Sequence, residues 1–338
     1  MGRGQRRARR RRRFHPGGHP LGAGMTARRP IPVTVIGGYL GAGKTTCLNH
    51  LLASDHGLRL AVLVNDFGAV NIDAGLIAEH GGDTVALTNG CVCCAIADDL
   101  GAALQAQTDR DSPPDRIVVE ASGVADPARV MRLAGNWPGC RPAGTAVLAD
   151  AATVREWARD KFVGRLVVQQ MQAADLLVLN KLDLLAAPEA GQVRAWVQAQ
   201  AAPADLVEAR FAQVDPVRLL GMGGTLPAPS AGDAGEPEGP GHGLSSAVWR
   251  PAGPVDPGAL ERLLAGWPDI HRAKGVVTTG AGPRRIDWSG GRLDLSPAPP
   301  DRPQLVLIGP FGAAARKALL RALDACAEPA GCAGRFAG

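Results

Sequence analysis

The sequence is poor in aromatic residues, has no long apolar run, and carries no acid at all in its first two dozen residues. Aromatics make up 4% of the 338 residues, with a single tyrosine, although 46% are hydrophobic. A chain this apolar buries a sizeable core, which must then rest on Ala, Val, Leu and Ile. Its apolar runs, such as Leu60–Val64 and Leu176–Leu179, fall far short of the roughly 20 residues a membrane helix needs. That excludes a membrane helix. Residues 1–24 hold no Asp or Glu but eight arginines, at positions 3, 6, 7, 9, 10, 11, 12 and 13. Taking those arginines away turns the net charge of +5 into −3, so the body of the chain is mildly acidic.

Such an Arg run contacts nucleic acid or acidic lipid where it has a role. The plainer expectation is a disordered basic tail over residues 1–30. The tail has no apolar stretch of the kind a secretory signal needs. It shares the Arg-rich, acid-poor look of an organelle transit peptide, but little of its Ser content or amphipathic pattern. Met25, just ahead of the first strand, is a second candidate start. The seven cysteines (47, 91, 93, 94, 140, 326 and 332) are odd in number, with three packed together. That pattern fits metal chemistry in a reducing compartment, hence a cytoplasmic protein, and not a disulfide framework.

Gly (44) and Pro (27) are plentiful, which predicts many turns and a linker. Buried strands are expected at Ile31–Gly37, Arg59–Asn65, Asp115–Glu120, Thr145–Ala149 and Leu176–Asn180, with helices between them. Strands alternating with helices predict an α/β fold with a doubly wound parallel sheet over residues 31–220. Residues 221–243 form an aperiodic Gly/Pro/Ala linker. Strands near 246–250, 275–279 and 305–308, with flanking helices, predict a second, smaller α+β domain over 244–326.

Gly38-Tyr39-Leu40-Gly41-Ala42-Gly43-Lys44-Thr45 matches the full phosphate-loop pattern, directly after a strand and opening a helix. Gly38, Gly41, Ala42 and Gly43 let the backbone turn its N–H groups inward, and the helix start adds partial positive charge. Lys44 is placed for the β- and γ-phosphates, and the Thr45 hydroxyl for Mg²⁺. Glu120 ends a buried strand, where a carboxylate assists Mg²⁺, and Gly123 lets a backbone N–H approach the γ-phosphate. Asn180-Lys181-Leu182-Asp183 chooses the base. Asp183 can accept from guanine N1–H and its exocyclic amine, whereas adenine would leave that acid unpaired, at a cost of roughly 1–3 kcal/mol. Asn180 would brace the loop and the Lys181 stem would cover the base. Asp66, after the second strand, sits where a switch senses the γ-phosphate, a catalytic water or a metal. Lys44, Thr45, Asp66 and Glu120 are thus the expected catalytic set.

Asn89-Gly90-Cys91-Val92-Cys93-Cys94 brings three thiols close after a turn. Soft thiolates suit Zn²⁺, Co²⁺ or Cu⁺ better than Mg²⁺ or Ca²⁺. No second Cys/His pair stands at structural-zinc spacing, so an open, exchangeable site on Cys91, Cys93 and Cys94 is expected. Its remaining ligand would be water, Asp66 or a partner. Packing or a redox thiol pair are the alternatives.

These segments together resemble the CobW-type family of metal-handling GTPases, which includes cobalamin-biosynthesis proteins, nitrile hydratase activators and zinc chaperones. The resemblance rests on Gly37–Thr46, Asn65–Asp73, Asn89–Cys94, Glu120–Pro127 and Asn180–Asp183, and on Arg272-Ala273-Lys274-Gly275 in the second domain. It adds Thr46 to the nucleotide loop. It implies a SIMIBI-like GTPase domain with a small second domain, zinc or cobalt on the cysteines, and GTP hydrolysis that delivers the ion to a client metalloprotein. Two departures stand out. Ala69 replaces an acid many members carry, and the linker has only His242 where many have a histidine-rich loop. Oligomeric state is left open. The rival readings are an ATP-using P-loop ATPase or kinase with structural cysteines, and a nucleic-acid-binding protein led by the Arg tail.

Overall fold

The computed structural model describes residues 29–64, 83–86, 95–201, 203–222, 244–300 and 302–327, with backbone alone at 83–86 and 95–99. The basic tail, most of the linker, Asp66, Ala69, His242, Cys332 and the Cys91–Cys94 segment lie outside them.

Two sheets organise the chain. The first has seven strands: β1 Ile31–Gly38, β2 Leu60–Val64, β3 Asp83–Ala86, β4 Arg116–Glu120, β5 Cys140–Asp150, β6 Leu176–Asn180 and β7 Asp205–Glu208. Their spatial order is β3-β2-β4-β1-β5-β6-β7, and every pairing is parallel. β2 and β6 are buried at every position, as strands must be when helices cover both faces. Alternate side chains confirm it. Val62, Val118 and Val178 pack with Leu48 and Leu51 of helix α1 (Lys44–Ala53) on one face. On the other, Ile117 and Val119 meet Leu104 of α2 (Ala95–Thr108) and Met131 of α3 (Pro127–Gly135). Each such fully buried side chain is worth about 1.5–3 kcal/mol. Helices α4 (Val154–Trp157), α5 (Gly164–Gln172), α6 (Ala187–Gln200) and α7 (Pro216–Leu220) complete the layers. The chain leaves β1 for β2 on one side, returns to β4 beside β1, and then crosses from β4 to β5 on the other side. The carboxyl end of β1 therefore lies at a switch point, where open α/β sheets bind ligands.

The second sheet comprises β8 Ser245–Trp249, β9 Arg272–Thr279, β10 Gly282–Ser289, β11 Arg292–Pro297 and β12 Gln304–Gly309, in the order β11-β10-β9-β12-β8. It is antiparallel throughout. One face packs Trp249, Ile286, Trp288 and Leu305 against α8 (Pro257–Ala265) and α9 (Ala313–Asp324). The opposite face of β9–β11 is polar and turns toward the phosphate loop.

The sequence did not lead us to expect α3, β7, β10 or β11, and the expected core of β5 extends to eleven residues. α3 starts at a Pro behind Asp126, whose side chain accepts from Ala128 N at 2.9 Å, a cap and first-turn pair. β7 is a short, half-exposed edge strand with little apolar pattern to mark it. Among the described residues, no helix is long and apolar enough to cross a membrane.

Candidate nucleotide site

β1 runs straight into the glycine loop. Gly38 has φ 130, and a Cβ there would lie 2.2 Å from the Leu148 carbonyl oxygen on β5. Only glycine fits. Gly43, with φ 104, caps α1. Lys44 opens that helix with a buried side chain, and its Nζ donates to the carbonyls of Gly38 (3.0 Å) and Tyr39 (3.3 Å). The ammonium therefore lies folded over the loop. Thr46 follows and is exposed.

The Thr45 hydroxyl donates to Glu120 Oε1 at 2.9 Å. This joins the helix start to the tip of β4 and places a hydroxyl and a carboxylate together, the donor set that suits hydrated Mg²⁺. Gly123 packs on the loop from the β4 side, and a Cβ there would meet Leu40 Cδ2 at 2.5 Å. The segment carrying Gly123 is held by buried Gln170, whose Nε2 donates to Gly123 O (3.1 Å) and Ala125 O (2.8 Å).

At the other end of the cavity, Asn180 is buried at the tip of β6. Its Nδ2 donates to Ala42 O at 2.9 Å, and its Oδ1 accepts from Ala212 N at 2.8 Å. One side chain thus ties the phosphate loop to the loop after β7. Lys181 takes a left-handed φ of 62, and its Nζ pairs with Asp150 at 2.8 Å. That ion pair lays the aliphatic stem along the cavity wall. Asp183 is exposed on the single turn Leu182–Leu184 and lines the same cavity. Phe211, 69% exposed with φ 52, stands at its mouth. Sequence reasoning missed Phe211. A large exposed apolar side chain in strained backbone marks it in the structure.

The cavity holds about 500 Å³ and brings together Lys44, Thr45, Thr46, Asn180, Lys181 and Asp183. Its far wall is the polar face of β9–β11. Ser289 touches the loop directly, since a Cβ on Gly41 would lie 2.5 Å from Ser289 Cβ. The Arg272–Lys274 segment quoted above faces the same space.

Behind the loop, Tyr39 Oη and His271 Nδ1 share a 2.7 Å hydrogen bond, and the Trp157 ring packs tilted by 50° against His271, 4.6 Å between centroids. Burial pushes the Tyr39 hydroxyl well above its ordinary pKa, with Asp160 adding to the shift. Burial also depresses His271, against the pull of Asp160 and Asp269. Both groups stay neutral near pH 7. The only tyrosine of the chain thus anchors the phosphate loop to the second sheet.

Among the described residues no cluster of three metal-ligating side chains occurs. The described cysteines are free. Burial, helped by Glu120, pushes the Cys47 thiol up to about 12, and burial raises Cys140 to about 11. Neither offers a thiolate at neutral pH. β3 ends at Ala86 and α2 begins at Ala95, with Cys91, Cys93 and Cys94 between them in sequence.

A parallel sheet with such a loop at its switch point is the fold of P-loop nucleotide-binding proteins. Residues 32–208 match the family model described as CobW/HypB/UreG, nucleotide-binding domain. Residues 244–327 match the cobalamin synthesis protein cobW C-terminal domain. The chain belongs to the CobW/HypB/UreG family. Among similar proteins, the zinc chaperone CobW of a Sinorhizobium species is 34% identical over 57% of this chain and 63% of its own length. The zinc chaperone CobW of Pseudomonas aeruginosa is 30% identical over 60% of this chain and 62% of its own. The matches thus span less than two thirds of those relatives. Zn(II)-bound YjiA GTPase from E. coli aligns at 22% identity over 89% of this chain and 100% of that one, with a TM-score of 0.41.

Proposed function

We propose that this chain is a cytoplasmic GTPase that binds and hydrolyses Mg²⁺·GTP and uses that cycle to load and release a zinc or cobalt ion for a client metalloprotein. One observation carries the nucleotide half. A single cavity has Lys44, Thr45 and Thr46 at one end and Lys181 and Asp183 at the other. Phosphates would sit on the Gly38–Thr46 loop, with backbone N–H groups and the Lys44 ammonium as donors. Mg²⁺ would take the Thr45 hydroxyl directly and Glu120 through water, and would supply charge neutralisation for phosphoryl transfer. Asp183 would accept from guanine, between the Lys181 stem and Phe211. Asp66 and the Gly123 N–H are the candidates for sensing the terminal phosphate.

The metal half rests on the trio Cys91, Cys93 and Cys94 and on topology. Ala86, Val64 and Glu120 stand in one cross-strand row, so β3 ends two strand spacings, about 10 Å, from Glu120. On this reading the segment that follows β3 responds to the occupant of the phosphate loop. The relatives named zinc chaperones favour zinc over cobalt. The paired residue range 31–220 and 244–326 is read as GTPase domain and second domain, joined by the 221–243 linker.

The nucleotide claim is tested by equilibrium titration with fluorescent GTP and ATP analogues in Mg²⁺. GTP should bind at least tenfold tighter, the margin expected when adenine leaves the Asp183 carboxylate without its donors. Equal affinities would return the ATP-using reading. Cys93→Ser with Cys94→Ser should abolish tight zinc binding while sparing GTP. Retained tight zinc binding would remove the thiol site.

A further inference from the structure

The polar face of the second sheet is laid out by register. Arg272, Ser289 and Arg292 stand side by side across β9, β10 and β11. The next row on the same face is Lys274, Asp287 and Asp294, and the row after it contains Arg285. All seven line the cavity. The face carries four cations against two acids. Its position is pinned by Ser289, which lies against Gly41 of the phosphate loop, so Arg272 and Arg292 flank the point of contact.

The charges are not equally engaged. Arg272 Nη2 lies 3.8 Å from Asp287 Oδ2, which Lys274 faces across the β9–β10 pair. Asp287 thus lies close to Arg272 and beside Lys274 in register. Arg285 has a buried Nε with no hydrogen-bond partner among the described residues. A buried guanidinium donor left without an acceptor costs free energy, and it lines a cavity whose opposite wall is built for phosphate. Arg292, exposed at the β10–β11 turn, lines the same space. Guanidinium forks match phosphate oxygens better than any other side chain does.

We propose that Arg285 and Arg292 of the β10–β11 hairpin bind the polyphosphate of the nucleotide in cis, making the second sheet half of the nucleotide site. This rests on the GTP reading above. It gives the second domain a direct sense of the phosphates, because a triphosphate spans both walls while a nucleoside touches only the first. Asp287 lies against Arg272, and the two hairpin arginines supply the ligand contacts.

The test is isothermal titration of the full chain with GTP, GDP and guanosine, each with Mg²⁺, for wild type, Arg285→Gln, Arg292→Gln, Arg285→Lys and Arg292→Lys. Each Gln variant should weaken GTP about tenfold or more, the usual effect of losing a hydrogen bond to a charged group, and leave guanosine within twofold. The Lys variants should recover part of the loss, and the slope of log affinity against log salt should flatten in the Gln variants. Thermal unfolding checks that each variant is folded. Should Arg285→Gln unfold, the exposed Arg292 decides alone. Wild-type GTP binding with unchanged affinity in folded Gln variants overturns this inference and leaves the GTP reading standing. Equal losses for GTP and guanosine also overturn it, since the arginines would then be structural. A wild type that binds no GTP removes both.

Discussion

The two walls of the cavity are built by opposite means. On the parallel-sheet wall, groups facing the ligand space are held by backbone geometry. Gly38 and Gly43 adopt left-handed φ values of 130 and 104, and Asn180 clamps Ala42 and Ala212. On the antiparallel-sheet wall they are side chains at alternate positions of flat strands, Arg285, Asp287 and Ser289 on β10 opposite buried Ile286 and Trp288. Backbone geometry admits few residues, so the first wall writes a dense motif. An alternating strand admits almost any polar residue outward, so the second wall writes only the short Arg272-Ala273-Lys274-Gly275 segment. A site can therefore be half visible in a sequence for a physical reason.

Five substitutions sharpen that contrast, the first three on the loop wall. The largest effect is expected for Lys44→Ala, which removes the buried ammonium at the phosphate end. GTP affinity should fall about a hundredfold, as for lost charge-assisted hydrogen bonds, with zinc affinity measured without nucleotide unchanged. Fluorescent-nucleotide titration reads the first and a chelator competition the second. Asn180→Ala leaves the Ala42 carbonyl and the Ala212 N–H buried without their partner, so urea unfolding should show a loss of about 2–4 kcal/mol. A loss below 1 kcal/mol would mean that the clamp is incidental. Asp183→Asn should lower GTP affinity about tenfold and raise affinity for xanthosine triphosphate, whose C2 carbonyl accepts from the new amide. Competition between the two nucleotides measures the reversal.

The smallest effect belongs to the joint between the walls. Tyr39→Phe removes the hydroxyl bonded to His271 and should cost about 1 kcal/mol in urea unfolding. His271 is held below its usual 6.5 chiefly by burial, so the folded chain binds fewer protons than the unfolded one as the pH falls below that value. Its contribution to stability is complete above pH 6.5 and is lost as acidification proceeds toward the lowered folded value. Urea midpoints between pH 7 and pH 5 should therefore fall for the wild type and fall less for His271→Gln.

The legible part of the fold follows the same logic. β1, β2, β4 and β6 were readable because strands buried on both faces are continuous apolar runs, and α1 because a phosphate loop must open a helix. Glu120, Asn180 and Asp183 were found at strand ends, as the sheet topology requires. The β10–β11 hairpin escaped because Gly282–Ser289 reads as polar, Gly-flanked loop. Its signal was Gly290-Gly291, at φ 55 and 73, a two-residue turn between alternating strands. Tyr39 carried no signal at all. Its partner His271 lies 232 residues away, and only the packing of the second sheet brings them together.

Metal delivery on a GTPase cycle requires coupling between phosphate loop and thiols. The direct measurement is a zinc competition titration of the full chain under reducing conditions, saturated in turn with a non-hydrolysable GTP analogue and with GDP. The triphosphate form should hold zinc at least tenfold more tightly, about 1.4 kcal/mol of coupling. Identical zinc affinity in the two nucleotide states would contradict it.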